Sequence, residues 1–290
     1  MTSRPDPAWL DVQYNNRARI PDHLQILEGW AASSALAREK SLCLLDLPYG
    51  SGGAAETLDV FLPNRSASPV LVYIHGGYWR ALDKRDASFV APAFVNAGAM
   101  VVVPNYGLCP AVTIEQITLQ LVQALAWVHR NAAEHGGDPQ RIVVAGHSAG
   151  GHLAAMLLSC LWPQVAADLP ARLVRSALSI SGLFDLEPIS HTPFLAPDLR
   201  LTPASALRLS PAFMRRPPGT LVTVVGGDES EEFHRQNRLL RAAWGADAVP
   251  VCEAIPGRNH MNVLRDLADA STRLHRLALE LLGLAGSEID

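Results

Sequence analysis

The sequence predicts an α/β fold, a mostly parallel eight-stranded sheet with helices on both faces. Two observations predict it. Short runs such as Val70–His75 (VLVYIH) and Arg141–Gly146 (RIVVAG) are apolar at nearly every position rather than at alternate ones, the pattern of strands covered on both sides. Between such runs lie segments whose apolar residues recur at helical spacing. The 290 residues are 49% hydrophobic and 18% charged, enough apolar material for one large core, so a single domain over 1–290 is expected.

Strands are expected at Leu42–Tyr49, Thr57–Leu62, Val70–His75, Met100–Val103, Arg141–Gly146, Ala177–Ser181, Thr220–Val225 and Val249–Ala254. The clearest helix runs from Thr113 to Glu134, with Ile114, Ile117, Leu121, Leu125 and Val128 on one face and a glycine stop at Gly136–Gly137. A second is expected from Ser148 to Trp162, with Leu153, Met156, Leu157, Cys160 and Leu161 facing inward and Pro163 ending it. A third follows His260 and presents Val263, Leu264, Leu267, Leu274, Leu277 and Leu281. Two stretches break the alternation, an N-terminal extension over 1–40 and a Pro-rich, cap-like segment over 187–218. Both are candidates for covering a site.

A net charge of −4 with no long basic run leaves no footprint for nucleic acid or an anionic membrane, and points to a small, neutral substrate molecule. Cys43, Cys109, Cys160 and Cys252 are scattered, as reduced thiols would be. The N-terminus has no apolar signal region, and no apolar run approaches the 18 or so residues of a membrane span, so a cytoplasmic protein is expected. No His or carboxylate cluster has metal-ligand spacing, and neither metal nor cofactor is expected. The sequence fixes no oligomeric state; a homodimer stays open.

Gly146-His147-Ser148-Ala149-Gly150 satisfies G-x-S-x-G between an apolar strand and a helix, the setting in which a sharp turn presents a nucleophilic serine. Earlier, His75-Gly76-Gly77-Tyr78-Trp79 ends the strand VLVYI. Its glycines, with the amide of Ala149, are candidates for the donors that stabilise an oxyanion, with His75 orienting the loop. Tyr78, where many such loops have a third glycine, narrows the pocket. Asp228 follows the run ending at Val225 and His260 lies in the loop before the last helix, the chain order Ser, Asp, His of hydrolases built on such sheets. Asp185 and Glu187, after the preceding strand, are competing acids; for Asp185 the alternative role is a cap or loop hydrogen bond. His147 and His152 flank the nucleophile too closely to serve as its base. His191, in the Pro-rich segment, is a candidate substrate contact.

These residues resemble those of the arylformamidases, or kynurenine formamidases, of the α/β-hydrolase type. The likeness is carried by HGGYW at His75–Trp79, VVVPNYGLCP at Val101–Pro110, GHSAGGHLAAM at Gly146–Met156, SGLFDLEPI at Ser181–Ile189 and GGDESEEFHRQ at Gly226–Gln236. The resemblance implies Ser148 as nucleophile, Asp228 and His260 as its partners, and Gly76 and Gly77 in the oxyanion region. It further implies cleavage of N-formyl-L-kynurenine to L-kynurenine and formate, with the aryl group stacked on Trp79 or Tyr78. A carboxylesterase for small aryl or short-chain acyl esters is the second reading, and a catalytically inert binding module of the same fold is the third.

Overall fold

The computed structural model describes residues 6–285. The first five residues of the N-terminal extension, and the last five of the span expected as one domain, lie outside the described residues. All eight expected strands form: β1 (Cys43–Pro48), β2 (Thr57–Phe61), β3 (Ser68–Ile74), β4 (Met100–Pro104), β5 (Gly137–His147), β6 (Val174–Ile180), β7 (Thr220–Gly226) and β8 (Cys252–Ile255). They make one sheet in the order β1-β2-β4-β3-β5-β6-β7-β8. The β1–β2 and β2–β4 pairs are antiparallel and the other five are parallel. This is the α/β-hydrolase fold.

The continuous apolarity of the central strands is explained by two cores. From β3 and β5, Val70, Val72, Ile74, Ile142 and Val144 enter one core, whereas Leu71, Tyr73, Val143 and Ala145 enter the other. Along the chain the helices are α1 (Pro7–Tyr14), α2 (Asn16–Arg19), α3 (His23–Lys40), α4 (Ala91–Asn96), α5 (Ile114–Asn131), α6 (Ala149–Leu158), α7 (Trp162–Val165), α8 (Glu187–Ser190), α9 (Ala196–Leu199), α10 (Pro203–Arg208), α11 (Glu231–Trp244), α12 (Val263–Ala268) and α13 (Arg273–Leu282). Helices α5, α6 and α11 fill the first core; α3, α4, α12 and α13 fill the second.

The helix expected from Thr113 starts with a capping box, Gln116 N–H to Thr113 Oγ1 at 3.2 Å and Thr113 N–H to Gln116 Oε1 at 2.8 Å. Two expectations are corrected. The helix after Ser148 ends at Leu158 instead of Trp162, leaving Leu161 63% exposed, and Pro163 opens α7, where its missing N–H costs nothing. The last helix is two helices, because Thr272 turns back on the carbonyls of Asp266 and Asp269 and then caps α13 through His275 N–H.

Candidate active site

Ser148 sits between β5 and α6 with φ 56° and ψ −117°, a conformation costly for a non-glycine residue. Sequence explains why the turn can be that tight. A Cβ on Gly146 would lie 2.2 Å from the Gly150 carbonyl oxygen, and one on Gly150 would lie 2.1 Å from that of Ile74. The Ser148 amide is held by the Ile180 carbonyl at 2.8 Å, which anchors the turn to the next strand. Although such a turn presents its serine, Ser148 is only 2% exposed, because other segments roof it over.

His260 lines the same cavity as Ser148. Its Nδ1–H donates to a carboxylate at 2.6 Å, and the carboxylate belongs to Glu229, not to Asp228. Glu229 is buried, and its Oε1 also accepts from Ser181 Oγ at 2.5 Å and from the Gly226 amide at 2.6 Å. The turn after β7 explains the correction. Glu229 N–H returns to the Gly226 carbonyl at 3.1 Å, so the side chain of Glu229 points inward while that of Asp228 faces solvent. Consecutive residues of a tight turn point apart, and two adjacent acids in GGDES gave no signal of which one turns in. Asp185, the competitor, takes the role of a loop acceptor, bonded to Glu187 N–H at 3.2 Å and paired with Arg235 at 3.1 Å.

His147 also escaped the sequence. Its Nε2–H donates to the His260 carbonyl at 2.7 Å and the two rings lie 4.6 Å apart. Burial, and then the neighbouring His260, push its pKa well below the ordinary histidine range, so the ring is neutral and fixes the His260 backbone.

The loop after β3 carries the other half of the site. Gly76 packs against the nucleophile, since a Cβ there would lie 3.2 Å from Ser148 Cβ, and Gly77 has φ 100°. Tyr106 O–H donates to the His75 carbonyl at 2.9 Å, and its ring stacks on that of His75 at 4.2 Å. His75 lies between the Gly76 carbonyl at 2.9 Å and Asn105 Oδ1 at 3.3 Å, a buried neutral ring that orients the loop. Among the described residues no backbone carbonyl takes the Gly77 or Tyr78 amide proton. Together with the first amide of α6 at Ala149, they form a set of donors beside Ser148.

The cavity over Ser148 has a volume of about 510 Å³. Its walls come from both stretches that broke the strand-helix alternation. Residues Asn15, Asn16, Arg17, Leu27 and Trp30 come from the N-terminal segment, and Phe194 and Asp198 from the Pro-rich one. The two segments are tied to each other and to the oxyanion loop. Phe194 N–H donates to Asp11 at 3.2 Å, and Tyr78 O–H donates to the Tyr14 carbonyl at 2.6 Å. Arg80 reaches the Phe194 carbonyl at 2.8 Å and pairs with Asp198.

Tyr78 lines the cavity as expected, edge-on to Phe194 with centroids 5.9 Å apart. Trp79 and His191 are not brought to it. Trp79 is wholly buried against His152, so Trp30 is the indole on the cavity wall. His191 pairs with Glu187 at 3.0 Å beside a different cleft, one turn along α8 from its partner.

A hydroxyl on a strained turn, an imidazole oriented by a carboxylate, and unpaired amides beside them are what acyl transfer through serine requires. Known proteins are similar to this chain over much of its length. Residues 58–160 match the BD-FAE family model. A kynurenine formamidase of Salmo salar is 31% identical over 275 residues, 91% of this chain and 89% of its own length. One from Danio rerio is 32% identical over 256 residues, 85% of this chain and 84% of its own. The chain belongs to the kynurenine formamidase family. A solved structure from Silicibacter sp., provisionally assigned as a thioesterase, superposes with a TM-score of 0.80 at 32% identity, covering 95% of this chain and 98% of that one. Among the described residues no helix is long and apolar enough to cross a membrane.

Proposed function

We propose that the protein hydrolyses N-formyl-L-kynurenine to L-kynurenine and formate, with Ser148, His260 and Glu229 as its catalytic residues. The observation that carries the mechanism is the Glu229–His260 hydrogen bond of 2.6 Å at the cavity that Ser148 lines. It keeps the proton on Nδ1 and leaves Nε2 as the base. Family membership over nearly the whole chain supports the substrate.

In this mechanism Ser148 Oγ attacks the formyl carbon while His260 Nε2 takes its proton. The oxyanion is met by the amides of the Gly76–Tyr78 loop and Ala149. The C–N bond then breaks, and the imidazolium returns its proton to the departing arylamine. Water, deprotonated by His260, attacks the formyl ester and releases formate, restoring the Ser148 hydroxyl. The second reading, hydrolysis of small aryl or short-chain esters, is supported by 36% identity over 150 residues to the esterase LipQ of Mycobacterium tuberculosis. Steady-state kinetics on N-formyl-L-kynurenine beside 4-nitrophenyl acetate separates them. A higher kcat/KM for the formamide is expected, and ester turnover without formamide turnover overturns the reading.

A further inference from the structure

The cavity over Ser148 carries more charge than removal of a formyl group needs. Arg17, Arg80 and Asp198 all line it. Arg80 and Asp198 neutralise each other, and the Arg80 guanidinium also lies over the Phe194 ring, 5.4 Å from its centroid. Arg17 has no carboxylate or carbonyl partner among the described residues. One positive charge on the wall is therefore uncompensated.

That charge stands on a fixed support. Arg17 belongs to α2, whose start is capped by Asn15 Oδ1 on the Ala18 amide at 3.2 Å. The neighbouring Asn16 side chain donates to the Tyr78 hydroxyl at 3.4 Å, and that hydroxyl is itself bound to the Tyr14 carbonyl. The turn bearing Arg17 is thus tied to the loop beside the nucleophile. A planar guanidinium with free donors matches a carboxylate in a two-pronged geometry.

We propose that Arg17 is a specificity residue that binds the α-carboxylate on the leaving-group side of the substrate. The enzyme thereby selects aryl substrates whose side arm bears a carboxylate over those that lack it. The identity of the acyl group rests on the formamidase reading; the preference for the charge does not.

The test is a ratio of efficiencies. N-formyl-L-kynurenine is compared with its decarboxylated analogue, N-formylkynuramine, in wild type, Arg17→Met and Arg17→Lys. The wild type should favour the carboxylate, and Arg17→Met should lower that ratio about ten-fold, mainly through KM, as loss of a partly exposed charged hydrogen bond implies. Arg17→Lys should restore part of it, and added salt should weaken the preference in the wild type. A ratio unmoved by Arg17→Met overturns the proposal. If the wild type turns over neither formamide, the formamidase reading fails. The same ratio is then taken with the acetate esters of 3-(4-hydroxyphenyl)propanoate and its amide. A fall in Arg17→Met upholds the proposal, and an unchanged ratio overturns it.

Discussion

The strand ends of the sheet and the roof above them do different work by different means. At the strand ends, Ser148, Glu229 and His260 are held by backbone turns with little freedom: a serine at positive φ, a carboxylate taking three donors, an imidazole between that carboxylate and His147. The roof, residues 6–40 and the Pro-rich segment, is the long α3 and several short helices, tied to the loop after β3 by side-chain bonds such as Arg80–Asp198 and Tyr78–Tyr14. In the proposed mechanism the first region carries out the acyl transfer and the second selects the substrate. Changes at the strand ends should therefore lower turnover of every substrate together, and changes in the roof should alter the ratio between substrates.

Ser148→Ala is expected to have the largest effect, a loss of at least about 1000-fold in kcat on formamide and ester alike, with an unchanged melting temperature. Retained ester turnover would mean that a second nucleophile serves one substrate. Next comes Glu229→Gln, with a fall of about 100- to 10,000-fold. Its amide oxygen stays with Ser181 and Gly226, so its NH2 faces His260 Nδ1 and forces the proton onto Nε2. Asp228→Asn should stay within about three-fold of wild type. The reverse ranking in the same assay would return the acid to the exposed side of the turn.

A smaller effect is expected at the seam between the regions. Tyr78→Ala should lower the ratio of formyl to acetyl efficiency on the kynurenine amine by about ten-fold, a steric difference worth about 1.4 kcal/mol. Tyr78→Phe, which keeps the ring and loses the hydroxyl, should keep the ratio. If both variants leave it unchanged, the acyl pocket is bounded elsewhere.

The last expectation concerns stability. Burial lowers the pKa of His75, His147 and His152, the last to about 4. Below about pH 6.5 the unfolded chain binds protons that these folded rings refuse, so stability is full above that pH and is lost as pH falls. Each ring contributes a slope of about 1.4 kcal/mol per pH unit within its window. Urea unfolding between pH 7.5 and 5 should show the decline. His152→Gln keeps a donor toward the Leu209 carbonyl, normally held at 2.7 Å, and should flatten the slope by one such contribution. An unaltered slope would place the acid sensitivity elsewhere than His152.

The same contrast governs how much could be read from the sequence. Strands and the serine turn were legible because their rules are local: continuous apolarity for two-sided burial, glycines where backbones nearly touch. Glu229 was not, since its neighbour Asp228 is an equally good carboxylate and only the direction of the turn separates them. Trp79 and Trp30 show the limit for the roof. HGGYW put Trp79 next to the site in sequence, yet its ring turns into the core toward His152, while Trp30 arrives on α3 from a distant part of the chain. No spacing rule links Trp30 to Ser148.

Tyr14 donates to Glu232 at 2.5 Å across 218 positions of chain, and through such bonds the roof is seated on α11. A ribosome delivers these parts in the opposite order to their use. The N-terminal part of the roof leaves first, with nothing to rest on, and its support on α11 is made only after β7 has been added. The newborn chain therefore holds its specificity-bearing segment in waiting until nearly the whole protein exists, and the chamber closes as one of the last events of folding.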